Sequence, residues 1–429
     1  GSPYQQLGGV ASLGLTFLFL LVLMTVGARL LGAAAGRFAL GFAVVFWLSY
    51  LCWIIGHYAT IAAPPHDHKK YGISWSMALT GESGYIFALL LGLFVGNFLP
   101  GVSRLLKEAL RPELYIKTAI VLLGVGVGVK AADSAATQAL TKQILIRGFC
   151  AIIEAYLIYW PIVYFVARRF FRFSREWAAP LASGISICGV SAAIATGGAI
   201  RARPIVPVMV SSLVVIFAVV ELLLLPFVAQ QWLYHEPLVA GAWMGLAVKT
   251  DGAAIASGAI ADALIRSKAE QALGVKYAPD WIAATAANIK IFIDIFIGIW
   301  AFVLALIWST AIDRREGQRV RAVEIWHRFP KFVIGYILTF VAIFLIARQS
   351  GDMLAAGKRL MATTDVFRQL FFVLTFFTIG VVSNFRKLWE EGIGRLAAVY
   401  VLCLFGFIIW VGLLVSWIFF HGVKPPLAT

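Results

Sequence analysis

Charge is what this chain has least of. Only 13% of its 429 residues are charged, against 61% hydrophobic, and the mean hydropathy is +0.89. No soluble domain of this size can hide that much apolar surface, so lipid must be its main solvent. Cysteine is scarce too. Cys52, Cys150, Cys188 and Cys403 all fall in apolar runs, with no spacing for a disulfide framework or a zinc site. The sequence also lacks a GxxxxGK[ST] phosphate loop, an HExxH pair and a GxSxG elbow, which argues against an ATP-driven pump and membrane hydrolases of those types. The chain therefore reads as a non-enzyme without a cofactor. Its net charge of +15 would suggest a nucleic-acid partner in a soluble protein, but here the basic residues flank apolar runs, as the positive-inside rule requires. The partner is the bilayer, and no nucleic acid is expected.

Apolar runs of spanning length lie at 10–31, 38–62, 84–100, 114–129, 143–167, 205–230, 282–309, 332–347, 366–385 and 396–419. The first is too long for a signal-peptide core and is a retained span; Gly1-Ser2-Pro3 reads as a tag remnant. The longest polar connectors are 63–83, 263–281, 310–331 and 348–365. Two further runs, 177–200 and 238–262, are apolar but rich in Gly, Ser and Thr. They echo each other, Ala192-Ala193-Ile194-Ala195-Thr196-Gly197 returning as Ala253-Ala254-Ile255-Ala256-Ser257-Gly258.

With the N-terminus outside and both Gly-rich runs re-entrant, 20 of the 36 basic residues fall on inner loops. A second echo pairs 118–140 with 374–396, matching Gly124 to Gly380, Lys130 to Arg386 and Leu140 to Leu396. Together the echoes predict two related halves of opposite orientation. Parity then requires hairpins, because two full spans would point the Gly-rich pair the same way. The fold class is an all-α polytopic membrane protein, an inverted-repeat secondary transporter of about ten spans plus two broken or re-entrant helices. Residues 1–83 form a two-span extension and loop, and 84–429 the transporter core.

Arms of about ten helical residues reach about 15 Å, half the hydrocarbon thickness, so the hairpin tips meet near the midplane. Irregular backbone at that depth requires protein or a water-filled cavity around it, and broken helix ends there bind ions. The first tip is Ser186-Ile187-Cys188-Gly189-Val190-Ser191 and the second Lys249-Thr250-Asp251-Gly252. Free N–H groups, Ser186, Cys188, Gly189, Ser191, Lys249, Thr250 and Gly252 are the candidate anion ligands. Asp251 is the first candidate for carrying H⁺ or Na⁺, followed by Asp294, Glu154 and Glu221. The bland reading of Lys249 and Asp251 is a structural ion pair. Lys290 and Asp294, spaced i, i+4, share a helix face and read either as a self-satisfied pair or as part of the site. Glu154 and Glu221 stand alone on apolar helices, each a proton relay or a neutral buried carboxyl. His66-Asp67-His68 reads as solvated loop rather than a metal site, and Gly92 with Gly96 as close helix packing.

The segments IFALLLGLFVGN (86–97), IVLLGVGVGV (120–129), SGISICGVSAAIAT (183–196), GAWMGLAV (241–248) and FTIGVVSN (377–384) resemble, in this order, the YeiH-like bacterial membrane proteins commonly labelled sulfate exporters. The resemblance covers roughly residues 84–420, and its sharpest element is Ser186-Ile187-Cys188-Gly189. It implies a distant relation to cation/proton antiporters and bile-acid-type symporters, an inner-membrane location and a homodimer. The chain departs from the family pattern where members carry a His-Glu pair and it has Lys249-Thr250, then Asp251. The leading expectation is a secondary transporter of a small anion of the sulfate, sulfite, sulfonate or organic-acid class. The alternative is a cation/proton antiporter using Asp251 and Asp294, with a membrane-embedded enzyme third.

Overall fold

A computed structural model describes residues 9–63, 67–77, 83–312, 326, 331–383 and 394–428, and these are helical almost throughout. In chain order the longer helices are α1 (Gly9–Leu30), α2 (Ala35–Gly56), α3 (Ser83–Phe98), α4 (Pro100–Leu106) and α5 (Pro112–Asp133), with single turns at Ala59–Ala62 and His68–Tyr71 between α2 and α3. Next come α6 (Ala135–Arg169), α7 (Arg175–Ser186), α8 (Ser191–Ala199), α9 (Ile205–Trp232), α10 (Pro237–Ala247) and α11 (Asp251–Leu273). The last four are α12 (Trp281–Ile312), α13 (Phe332–Ala347), α14 (Gly351–Val382) and α15 (Gly394–Phe420). Eight helices among the described residues are long and apolar enough to cross a membrane, or nine if α3 and α4, bent by 111°, count as one span. The ten expected runs fall on helices wherever they are described. His66, the arginines of 314–328, and Asn384 with Arg386 lie outside the described residues.

Two expected connectors are helix instead. α11 continues through 263–273, and α14 begins at Gly351 rather than near 366. The polar residues there are accommodated by the helix itself. Asp262 pairs with Arg266 at 2.7 Å across one turn, and Ser350 caps α14 by accepting from the Met353 N–H at 3.2 Å. α11 stops at Gly274, which holds the left-handed conformation (φ 65°) that a side chain would resist.

The helices form two bodies. One contains α3, α5, α13 and α14, with α2 packed on α3 and α14, and α1 on α2. Small residues let its backbones touch: a Cβ on Gly92 would lie 2.2 Å from the Phe377 carbonyl, and one on Gly96 2.3 Å from that of Val381. These contacts make α3 parallel to α14. Likewise Gly124 and Gly128 abut Tyr336–Phe340 and Phe340–Phe344, so α5 is parallel to α13. α5 and α14 are antiparallel, Val129 meeting Gly357 while Gly126 faces Met361 and Asp365. The Gly124–Gly380 echo is thus expressed in packing: Gly124 seats α13 on α5 as Gly380 seats α3 on α14.

The second body holds α6 to α12 and α15, and the same symmetry runs through it. α7 packs on α6 as α10 packs on α15, and α8 on α12 as α11 on α9. Both Gly-rich runs fold back on themselves. In the first, Thr196 of α8 donates to Ser183 of α7 at 2.7 Å, and at its mouth the Arg203 N–H donates to Glu176 at 2.7 Å. In the second, Gly241 and Gly245 of α10 climb α12 in step, meeting Ile282 and then Ala286. α11 runs the other way, with Gly258 at Ala283–Ala286 and Asp262 accepting from the backbone of Ile282 at 3.0 Å. The arms of the first hairpin have 12 and 9 residues. In the second, α10 has 11 but α11 has 23, twice the expected length. α9, 28 residues and so about 42 Å long, joins the Arg203 mouth to the Glu236 mouth. The hairpins therefore enter from opposite faces, the arrangement an inverted repeat demands.

Candidate functional site

The helix breaks fall at 187–190 and 248–250, and the two tips touch. The Gly189 N–H donates to the Lys249 carbonyl at 2.6 Å. Gly189 is required by this approach, since a Cβ there would stand 2.3 Å from Val214 Cγ1 and 3.2 Å from Thr250 Cγ2. Thr250 caps α11, accepting from the Ala253 N–H at 3.3 Å, and Asp251 is the first helical residue. α8 and α11 thus begin beside one another, and both direct the positive ends of their dipoles at the junction. Gly252, at the start of α11, faces Ile116 of α5 and Thr375 and Ile379 of α14. There the hairpin body meets the other body.

Four side chains, each at most 1% exposed, gather at the junction. The Cys188 thiol donates to Asp251 Oδ1 at 2.9 Å. Lys290 donates to the Ile187 carbonyl at 2.7 Å and stands 3.8 Å from Asp251 Oδ1. Asp294 completes the group: ligating atoms of Cys188, Asp251 and Asp294 lie within 4.8 Å of one another. Both Asp294 oxygens lack a hydrogen-bond partner among the described residues, as does Ser186 Oγ. Buried polar atoms left this way are costly, which singles out Asp294 and Ser186 as groups that call for a partner.

A second buried cluster lies behind the second tip. The Lys249 N–H donates to Glu221 Oε2 at 3.2 Å, and Tyr400 donates to Glu221 Oε1 at 2.7 Å. The Tyr159 hydroxyl lies within hydrogen-bond reach of both Glu154 Oε1 and the Ile408 carbonyl, the latter at 2.8 Å. The Lys249 ammonium sits 4.7 Å from the centre of the Tyr159 ring and donates to the Leu246 carbonyl.

Both ion pairings that the sequence offered as bland readings give way to a third. Lys249 does not pair with Asp251, because its side chain turns to Tyr159 and Leu246. Lys290 and Asp294 share a face, yet Lys290 reaches instead across to the first tip and Asp251. Tertiary contact at the junction supplies nearer partners than the helix does. Lys249 therefore meets the junction through its backbone carbonyl rather than its charge, whereas Cys188, expected only as a substrate ligand, binds the carboxylate. Ser191 opens α8, and Ser186 closes α7. Sequence reasoning missed Tyr159 and Tyr400, which carry no signal beyond being aromatic. It also missed the pair Glu113–Lys117, 3.1 Å apart at i, i+4, which the spacing could have revealed. Gly92 and Gly96 are packing residues, as their spacing implies. His68 bonds Ser76 at 2.9 Å.

Two bodies related internally by an inverted repeat, with re-entrant hairpins meeting tip to tip, are the architecture of a secondary transporter. A sequence profile described as Conserved hypothetical protein 698 matches residues 70–399. A UPF0324 membrane protein of Nitrosomonas europaea is 43% identical over 417 residues, covering 97% of this chain and 85% of that one. An uncharacterized protein of Archaeoglobus fulgidus is 50% identical over 163 residues, 33% of this chain and 87% of its own. A UPF0324 membrane protein of Nitratidesulfovibrio vulgaris is 29% identical, over 97% of this chain and 65% of its own. The chain belongs to this family, the YeiH-like UPF0324 membrane proteins. Among solved structures, the sodium proton antiporter MjNhaP1 from Methanocaldococcus jannaschii is 15% identical across 83% of this chain and 99% of that one. Its TM-score of 0.19 is too low to transfer any feature.

Proposed function

We propose that the protein is a secondary active transporter, resident in a bacterial inner membrane, that carries a small anion together with protons through the hairpin junction. The observation that supports this most is the company kept at the touching tips: two helix N-termini, Lys290, and two carboxylates, one of them without a hydrogen-bond partner. Charge bookkeeping gives the coupling. With Asp251 and Asp294 both ionised, their two negative charges offset Lys290 and the two dipole ends, and the junction has no net charge to attract an anion. With both protonated, Lys290 and two dipole ends of about half a charge each make it attractive. An anion therefore enters with protons and leaves with them, and the cargo is returned chemically unaltered. Sulfate, sulfite, sulfonates and small carboxylates all suit N–H and hydroxyl donors such as those of Ser186 and Ser191.

A second reading rests on the 4.8 Å cluster of Cys188, Asp251 and Asp294. Two carboxylates that close can hold a monovalent cation in exchange for protons, which would make the protein a cation/proton antiporter. The two readings predict opposite effects of pH. A thermal-shift panel on the purified protein would compare sulfate, sulfite, thiosulfate, sulfonates, bicarbonate, small carboxylates and Na⁺ at several pH values. A ligand at a hundredfold excess over its dissociation constant adds about 2.7 kcal/mol of stability. Anion stabilisation that strengthens as pH falls, less steeply in Asp294→Asn and not at all once Asp251→Asn is added, is the expected outcome. Stabilisation by Na⁺ alone that strengthens as pH rises would replace the anion reading with the cation one.

A further inference from the structure

The contact between the two bodies is unequal at its two ends. At the end of α5 near the second hairpin's mouth, the chain reaches α12 through Asp280, held in the left-handed region at φ 67°. Its carboxylate is clasped from both sides by the other body. Lys130 of α5 lies 3.2 Å from Oδ2, and Arg368 of α14 donates to Oδ1 at 3.0 Å. Lys130 also donates to the Pro279 carbonyl at 2.7 Å, and Arg368 is steadied by Asp365 at 3.2 Å. On the hairpin side, Asp262 of α11 accepts from the Asp280 N–H at 3.1 Å, so the loop is tied directly to the hairpin arm. The space left here, between Leu123, Lys130, Asp280 and Arg368, is about 10 Å³, too small to admit a solute.

The start of α5 is different. A cavity of about 660 Å³ opens there, lined by Glu113, Lys117, Val121 and Phe332 among others. Glu113, Ile116 and Lys117 share one helix face by their spacing. Ile116 is the residue that faces Gly252 at the second tip. The cavity thus adjoins the turn of α5 that touches the hairpin junction, while the other end of the same helix is closed by charge.

We infer that Lys130, Asp280 and Arg368 form a latch that closes the Asp280 face between the two bodies. This deepens the transport reading, because alternating access requires a barrier that breaks on one face as the other seals. All three residues lie on rigid elements: two on helices of one body, and one on a loop tied to the hairpin of the other. Separating the bodies at this face costs both ion pairs together, which makes the closed arrangement discrete rather than gradual.

The reporter is Leu123→Cys, at a position that lines the small space beside the latch, with the fully buried Cys188 retained. The full chain with Cys52, Cys150 and Cys403 replaced by Ser would be reconstituted in right-side-out and inside-out vesicles. A membrane-impermeant methanethiosulfonate would then be applied to each. With the latch intact, Leu123→Cys should label slowly from either face. Asp280→Asn, confirmed folded by its melting transition and monodispersity, should raise labelling from the Asp280 face at least tenfold. Lys130→Gln, which leaves Asp280 paired with Arg368, should give a smaller rise in the same direction and serves if Asp280→Asn does not fold. Unchanged labelling in a folded variant, or no labelling from either face in every variant, overturns the latch. The readout requires no cargo, so a wrong substrate class leaves this result standing, and a failed latch leaves the binding panel interpretable.

Discussion

Replacing Lys290 by Met tests the junction most directly. The ammonium and Asp251 Oδ1 are 3.8 Å apart, and both side chains are 1% exposed. Coulomb's law with an effective dielectric constant of about 20 gives an attraction of about 4 kcal/mol at that distance. Met fills nearly the same volume, so the substitution removes the charge and the hydrogen bond to Ile187 while keeping the packing. The expected cost is about 3–5 kcal/mol, because Asp251 is left as a buried charge with no cation beside it. Asp251→Asn in the same chain removes that stranded charge. The double variant should therefore be more stable than Lys290→Met alone, with an interaction energy of about 2 kcal/mol or more in a double-mutant cycle. Reversible unfolding by SDS in mixed micelles provides the assay, read by the signal of the native tryptophans. If Lys290→Met costs the same in the wild-type and Asp251→Asn backgrounds, within about 0.5 kcal/mol, the two residues do not interact and the charge bookkeeping of the junction fails.

Three further outcomes are expected. Burial disfavours ionisation of Asp280, but Lys130 and Arg368 outweigh it and hold the carboxyl well below the usual range. Its contribution to stability is therefore fully present above an unfolded value of about 3.9 and is lost as pH falls below it toward the folded value. Acid titration of unfolding should show this loss in the wild type, and a flatter profile in Asp280→Asn. Gly189→Ala should destabilise by about 1–3 kcal/mol, since the added carbon meets the stiff Val214 side chain; pairing it with Val214→Ala should recover most of that in the same SDS assay. Ser186→Ala should leave unfolding nearly unchanged, because its hydroxyl has no partner to lose, yet weaken anion stabilisation in the thermal-shift panel. Equal ligand responses in Ser186→Ala and wild type would remove that hydroxyl from the site.

Period and composition made much of this protein legible. Long apolar runs with basic flanks can only be membrane helices, since backbone polar groups in lipid must be satisfied within the segment. The repeated Ala-Ala-Ile-Ala-(Thr/Ser)-Gly segment and the parity of the halves led to two opposed hairpins; Thr196–Ser183 ties the arms of the first, and Asp262–Ile282 ties α11 of the second to α12. Gly189 was legible as a break for the same reason, because only glycine tolerates so near a neighbour. The helical stretches 263–273 and 351–365 were hidden, since polar residues satisfied by i, i+4 pairs and a cap look like loop to a hydropathy reading.

Tertiary structure alone decided which charges meet. Lys249 and Asp251 are two residues apart, but on either side of a helix start their side chains diverge, one to Tyr159 and the other to Cys188. Lys290 lies 39 residues beyond Asp251 and 103 beyond Ile187 in sequence, and it joins both only because α12 passes the junction. The latch is more remote still, with Lys130, Asp280 and Arg368 drawn from three parts of the chain. Sequence determines what a segment must bury and where it must bend, because those are local costs. Which buried charges neutralise one another is settled between segments, by a Coulomb term that depends on distances no spacing rule contains.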